Sequence, residues 1–407
     1  SLVLGKLPTQ SHLSLTLDEL CRGAEDIDAI VQSFKNTVHL SIGVRDILGK
    51  ENVSETHRTL ADVADVCLQQ IIQHQFNALV KRYGIPTLDS GTLCRFGVIA
   101  LGKLGSREPN YHSDVTVLFL FEGAGSTRPL GPARHHQAIG NDFFFHQLAQ
   151  RVAQGVNRVT RHGRLYELHH WQFLRERQSN LAWPVHAFLD QFLHGNVPST
   201  QRMLLSTARV IAGDPSFEGG IRDTIHQILR EVPWTQSDTE AALNARRLLE
   251  QTATPENLKR GFGGTMDVET LAQLLSMQQS NSNALFPVPG TIDSLELLRK
   301  IGAIPAEEAL LLKDAYNFLR GVESGLRLMN SKARHDLPKD PLELARLAYG
   351  LHIPDPTQLQ ETCDHYRQTV RAIFERVVGA PISLKDRSAT PHSAPTISTT
   401  STYGAKK

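Results

Sequence analysis

The sequence predicts an α+β fold in which short buried strands are flanked by helices and followed by a C-terminal helical bundle. Three observations carry this expectation. Leu60, Val63, Ala64, Cys67, Leu68 and Ile71 recur at three- and four-residue steps and share one face of a helix. Residues 96–101 (Phe-Gly-Val-Ile-Ala-Leu) and 115–121 (Val-Thr-Val-Leu-Phe-Leu-Phe) are short apolar runs that suit strands covered on both faces. From about Ser199 to Val378 the spacing is helical almost throughout.

Element by element, residues 14–83 carry helical periodicity, broken at Gly84 and Pro86. The two apolar runs follow, and residues 123–132, rich in Gly and Pro, form a loop. Ile139, Phe143, Leu148, Val152 and Val156 restore helical spacing, and residues 164–169 resemble a further strand. Breaks in the C-terminal bundle are expected at Pro233, Gly261 to Gly264, Pro287 to Gly290, Pro305 and Pro338. Residues 380–407, rich in Ser, Thr and Pro, have little to bury and should be disordered. The expected division is therefore an N-terminal helical segment (1–88), a sheet domain (89–198), a helical bundle (199–379) and the tail.

A chain of 407 residues exceeds one ordinary core, and 40% hydrophobic with 21% charged residues is globular composition. Forty-three basic against 42 acidic residues, a formal charge of +1, does not suggest wholesale binding to nucleic acid or anionic membrane. No apolar run reaches bilayer-spanning length and no secretion signal opens the chain. Cys21, Cys67, Cys94 and Cys363 form no CxxC pair and read as reduced thiols of a cytoplasmic protein. The first residue is Ser1, as expected of a fragment of something longer.

A Gly102-Lys103-Leu104-Gly105-Ser106 turn follows the first strand, and Ser113-Asp114-Val115-Thr116 opens the second. That arrangement resembles the nucleotidyltransferase superfamily. The string from Ala100 through Lys103, Arg107, Asn110 and His112 to Asp114 is similar to the signature of bacterial glutamine synthetase adenylyltransferases. Ser41-Ile42-Gly43-Val44-Arg45-Asp46, Lys259-Arg260-Gly261-Phe262-Gly263-Gly264-Thr265-Met266-Asp267-Val268-Glu269, Tyr316-Asn317-Phe318-Leu319-Arg320 and Leu326-Arg327-Leu328-Met329 match in the family's order. The resemblance covers about residues 35–378 and looks more like the AMP-attaching C-terminal half than the AMP-removing one. It implies a nucleotidyltransferase-like mixed sheet, ATP and Mg2+ as cofactors, glutamine synthetase and a PII signal protein as partners, and a preceding N-terminal half of the same chain. Nucleotide-binding positions would be Gly102, Lys103, Gly105 and Ser106, and the metal position Asp114.

Nucleotidyl transfer needs carboxylates to hold divalent ions, and an Asp-x-Asp pair on a strand sends both side chains to one face. Here Asp114 is followed two residues on by Thr116. At the third position, where the family string reads Tyr-Glu-Val-Asp-x-Arg-Leu-Arg, this chain reads Tyr166-Glu167-Leu168-His169-His170-Trp171-Gln172-Phe173. The carboxylate is replaced by His169 and the arginines by Trp171 and Phe173. A further Trp-Glu-Arg-Gln motif is here Thr200-Gln201-Arg202-Met203. Losses concentrated at phosphate- and metal-facing positions describe a pseudoenzyme, and they argue against both cofactors.

Other readings stand beside this one. Thr116 suits a strand for its own sake. The pairs His135-His136 and His169-His170 invite a metal reading, although strand neighbours point to opposite faces. The glycines of the turn serve either a phosphate or backbone geometry alone. Arg320 and Arg327 read as salt-bridged helix faces. A working adenylyltransferase could use Asp114 with substitutes from Glu167, Asp267 or Glu269, helped by Arg202; a scaffold unrelated to nitrogen control is the third alternative.

Overall fold

The computed structural model describes residues 5–129, 137–171, 181–195, 197–280, 287–330 and 333–379. Three helices open the chain: α1 (Gln10–Cys21), α2 (Ile27–Ile47) and α3 (Val53–Tyr83). α3 starts at a capping box, in which Asn52 accepts the Glu55 N–H and Glu55 accepts the Asn52 N–H. It ends at Gly84, whose φ of 83° favours glycine. The six apolar residues of its periodic stripe are all buried, and so are His57, Asp62 and Asp65 on its other sides. α3 is thus a central helix, in contact with α1, α2 and the sheet.

The strands are β1 (Ile85–Leu88), β2 (Phe96–Leu101), β3 (Val115–Phe121), β4 (Gly125–Arg128), β5 (Val159–Thr160), β6 (Gly163–Arg164), β7 (Leu168–His170), β8 (Ala182–Pro184) and β9 (Arg209–Gly213). Between β2 and β3 lies the one-turn helix α4 (Gly102–Gly105), and α5 (Asn141–Asn157) precedes β5. The main sheet runs β7-β3-β2-β9, with β8 in line with β7 on the β3 edge. β2 pairs antiparallel with β3 and β9, whereas β7 and β8 run parallel to β3, so the sheet is mixed.

Alternation divides the sheet's side chains between two cores. Val98, Ala100, Val115, Val117, Phe119 and Phe121 face α3 and α5. Ile99, Leu101, Leu118 and Leu120 face the opposite layer. That layer contains α6 (Val185–His194), α7 (Ser199–Leu204), α8 (Pro215–Glu231), α9 (Gln236–Gln251), α10 (Thr265–Ser280), α11 (Thr291–Lys300), α12 (Ala306–Leu328), α13 (Pro341–Gly350) and α14 (Pro356–Val378). A smaller core between α12, α13 and α14 includes Leu319, Val322, Leu347 and Leu359.

Three local expectations need correction. Residues 209–213, expected to be helical, form β9 and close the sheet beside β2; five residues between two helices are too few for periodicity to register. The 123–132 loop contains β4, which pairs with β1. The strand expected over 164–169 is divided between β6, paired with β5, and β7, because Tyr166 donates its N–H to the Val156 carbonyl rather than to a sheet neighbour. The 380–407 tail, the His135-His136 pair and Phe173 lie outside the described residues. Among the described residues no helix is long and apolar enough to cross a membrane.

Candidate active site

Asp114 immediately precedes β3, and the backbone N–H of Val115 donates to Glu167 O at 2.9 Å, which aligns β3 with β7. In this register Thr116 stands directly opposite His169, so their side chains share one face of the sheet. Asp114 belongs to the same alternation and is exposed, with neither an ion pair nor a hydrogen bond among the described residues. Glu167 joins that face two residues before His169: its carboxylate lies 3.6 Å from the His169 imidazole and 3.3 Å from Arg164. His170 points the other way, against Phe119 at 5.8 Å, where burial pushes its imidazole down to about 4. The two adjacent histidines cannot share an ion.

The glycine turn has a structural reason for each glycine. Gly102 has φ of 60°, a left-handed backbone that disfavours a side chain. At Gly105 a Cβ would collide with the carbonyl oxygens of Thr207 and Ala100. The Gly102 N–H donates to Thr207 Oγ1 at 2.8 Å, so this amide is already satisfied. Arg209 clasps the turn from β9, donating to the carbonyls of Leu104 and Gly105 and, bidentately, to the fully buried Asp65. Ser106 is buried at the end of the turn.

Lys103 is held inside the protein's own network. Its ammonium lies 2.6 Å from Glu269 and donates to Tyr316 Oη at 2.7 Å, and Tyr316 in turn donates to Glu108 at 2.7 Å. Thr291 donates both its N–H and its hydroxyl to Glu108. Burial raises the Glu108 carboxyl, but Lys103, Tyr316 and Arg320 outweigh it and hold the group below its ordinary range. Glu269 is therefore committed to a cation.

The remaining candidates are anchored elsewhere. Asp267 is fully buried at the start of α10, accepts the Gly263 N–H at 3.0 Å, and pairs with Arg246 at 2.6 Å and Arg371 at 3.4 Å. Arg202 ties α7 to α9 through Asp238 at 2.6 Å and stacks over Trp234. Trp171 and Gln201, at positions where the family pattern has an arginine and a glutamate, are hydrogen-bonded to each other, indole N–H to amide oxygen. Trp171 is buried against Phe188 and Phe192. A neutral pair in an aromatic pocket stands where the pattern implies charged groups.

Arg320 is salt-bridged, as the sequence suggested, but sequence reasoning did not place Arg327 beside Asp114 or foresee the burial of these cations. Arg327 is buried rather than a helix-face residue; it donates to Tyr111 O at 2.6 Å and Ser113 Oγ at 3.1 Å. Burial lowers its guanidinium to about 10, with Arg320 adding to that effect and the negative charges of Glu323 and Asp114 opposing it. Arg320, also buried, pairs with Glu323 at 2.8 Å. Lys259 is lowered by burial and feels Glu269 and Glu323 as well as the like charges of Lys103 and Arg327. The only signal was that all three sit in motif strings; a single sequence does not distinguish a buried arginine on an amphipathic helix from an exposed one.

Magnesium demands several anionic or neutral oxygen ligands in octahedral array. At the three positions where the family pattern has carboxylates the chain offers one carboxylate (Asp114), one hydroxyl (Thr116) and one imidazole (His169), a donor type poorly matched to Mg2+, and the Glu167 carboxylate on the same face lies against Arg164 and His169. Among the described residues no group of three or more His, Cys, Asp or Glu side chains is arranged to hold a metal ion. The residues present do not fit a pair of magnesium ions on a triphosphate.

Comparison with known proteins identifies the scaffold. The family model for glutamate-ammonia ligase adenylyltransferase matches residues 6–218, just over half the chain, and that for GlnD PII-uridylyltransferase matches residues 238–378. Relatives include bifunctional glutamine synthetase adenylyltransferase/adenylyl-removing enzymes. That of Aromatoleum aromaticum is 26% identical over 373 residues, covering 88% of this chain and 38% of the relative. That of Hahella chejuensis is 24% identical over 396 residues, 94% of this chain and 39% of the relative. That of Xanthomonas campestris is 28% identical over 357 residues, 84% of this chain and 37% of the relative. The chain thus spans well under half the length of these relatives. With the nucleotidyltransferase-like sheet, the glycine turn and the ordered motifs in place, the chain belongs to the glutamate-ammonia ligase adenylyltransferase family.

Proposed function

We propose that this chain is a degenerate AMP-attaching half of a glutamine synthetase adenylyltransferase, acting in nitrogen regulation as a binding module rather than as a catalyst. The observation that carries the reading is the register of β3 and β7: Thr116 and His169 occupy facing positions beside Asp114, leaving one carboxylate where the chemistry needs three. The Trp171–Gln201 hydrogen bond supports it, since a neutral pair replaces groups that would meet phosphate charge. Glutamine synthetase is the partner implied by the relatives' names, and the match of residues 238–378 to a PII-uridylyltransferase family supports a PII-type signal protein as a second. A preceding N-terminal half would supply further contacts, and the cytoplasm would be the site of action.

One observation favours a second reading, an active enzyme using ATP and Mg2+. Glu167 is exposed and shares the face of His169, so a substitute carboxylate stands near Asp114. The same experiment separates the two. Glutamine synthetase is incubated with this chain, Mg2+ and ATP labelled in its α-phosphate, and association is measured in parallel. Association without labelling supports the binding module; robust labelling overturns it in favour of the enzyme; neither result points to a scaffold unrelated to nitrogen control.

A further inference from the structure

Where the C-terminal end of α2 meets α12 and α13, a cavity of about 160 Å³ opens at the surface. Ile47, Leu328, Met329, Leu347 and Leu351 form its apolar wall. The space is left by missing side chains: Gly321 and Gly325, four residues apart on α12, and Gly350 at the end of α13 also line it. Ile47 and Met329 are 48% and 42% exposed, so the wall is reached from solvent. An apolar cavity of about 150 Å³ holds benzene, so this one has room for a single ring or a short branched chain.

The lining carries one charged side chain among the described residues, that of Asp46. Its Oδ2 accepts the Tyr111 hydroxyl at 3.0 Å. Oδ1 has no hydrogen-bond partner among the described residues, yet it is not sealed in: the residue is only half-buried and this oxygen keeps accessible surface. No cation pairs with Asp46 among the described residues, and the neighbouring Arg45 guanidinium is engaged by Glu51. Burial raises the Asp46 carboxyl, opposed by the Tyr111 hydrogen bond and by no positive charge.

Those features select the occupant. A neutral apolar molecule fills the wall but covers the carboxylate and removes it from water without a counter-charge. An anion is repelled by the same group. Water bonds to Oδ1 but brings no charge and leaves the apolar side chains wet. A compact apolar molecule ending in an ammonium group meets both demands, because its body covers the wall while its N–H donates to Oδ1 in a charge-assisted bond.

We propose that this cavity binds a small apolar amine, with its ring or branched chain against Leu328, Met329, Leu347 and Leu351 and its ammonium group on Asp46 Oδ1. The site is separate from Asp114, Thr116 and His169, and the proposal stands whether or not those positions are degenerate. The two are nevertheless joined. Tyr111, which donates its hydroxyl to Asp46, accepts Arg327 at its carbonyl at 2.6 Å, and Arg327 also donates to Ser113 immediately before Asp114.

The test is an NMR titration of the full chain labelled with carbon-13 in its methionine methyl groups. Of its four methionines, Met203, Met266, Met277 and Met329, Met329 alone lines the cavity, and Met329→Leu assigns its resonance. The probes are benzylamine, benzyl alcohol and benzoate at neutral pH. Benzylamine should move the Met329 signal and leave the other three in place, with a Kd of about 1 mM. Benzyl alcohol, of the same shape without the charge, should bind at least about fivefold more weakly, and benzoate should not shift the signal. Asp46→Asn, which keeps an acceptor for Tyr111, should weaken benzylamine about tenfold and bring it level with the alcohol. Should that variant fail to fold, the ranking of the three probes on the parent chain carries the decision. No shift of Met329 at about 20 mM benzylamine, equal binding of the alcohol or of benzoate, or undiminished binding in folded Asp46→Asn overturns the proposal.

Discussion

Arg209→Met removes the residue that locks the glycine turn to the central helix. The guanidinium makes four bonds: 2.6 and 3.0 Å to the two Asp65 oxygens, 2.9 Å to Leu104 O and 3.2 Å to Gly105 O. Asp65 is fully buried, so the variant strands a carboxylate that water does not reach. Truncating one partner of a buried pair costs about 3–5 kcal/mol, and the two released carbonyls add about 1 kcal/mol between them, giving an expected loss of about 4–6 kcal/mol. Urea unfolding at neutral pH measures it. The sign with pH is a further check. Burial already raises the Asp65 carboxyl above its ordinary value in spite of Arg209 and Arg107, and removing Arg209 raises it further. A raised folded-state value means that the penalty is full above that value. It fades as pH falls through it, and is gone below the unfolded value of about 4. The paired variant Arg209→Met with Asp65→Leu should recover at least half of the loss, because no charge remains to be desolvated. A loss under about 1 kcal/mol at neutral pH, or no recovery in the pair, would refute the reasoning.

The two glycines of the turn should respond unequally. Gly102→Ala pays only for a left-handed backbone in open space, about 1–2 kcal/mol, whereas Gly105→Ala drives a Cβ into two carbonyl oxygens and should lose more than about 3 kcal/mol or fail to fold. Equal unfolding midpoints would contradict that account. At Asp238 burial raises the carboxyl, but Ser199, Thr235 and Arg202 hold it down to about 2. Its stabilisation is therefore present above about pH 4 and lost as pH falls through about 2. An acid-unfolding profile over that interval should flatten in Asp238→Asn, and an unchanged profile would assign the acid sensitivity elsewhere.

The elements with many residues in one environment were legible in the sequence. The α3 stripe, the β2 and β3 runs and the Gly261–Gly264 break all register in composition over several residues. β9 did not, because its five residues lie between helices and its role depends on partners in β2 more than a hundred positions earlier. The convergence of Thr116 with His169 followed from strand alternation plus motif order, and their register agrees with it. The occupation of Lys103 by Glu269 and Tyr316, the arginine cage of Asp267 and the Trp171–Gln201 bond were not legible, since each joins residues from distant segments. Motif strings marked these positions but did not reveal what each side chain touches.

The central claim is that one carboxylate in place of three leaves the site unable to engage magnesium and nucleotide productively. It is tested most directly by calorimetric titration of ATP, with and without Mg2+, into the parent chain and into Thr116→Asp with His169→Asp. Facing aspartates beside Asp114 restore the ligand charge on one face of the sheet. The account predicts no magnesium-dependent ATP binding by the parent and measurable magnesium-dependent binding by the double variant. AMP transfer to glutamine synthetase by the variant should remain negligible, because Trp171 and Gln201, hydrogen-bonded to each other, still stand where the family pattern has an arginine and a glutamate. Magnesium-dependent ATP binding by the parent equal to that of the variant would contradict the claim.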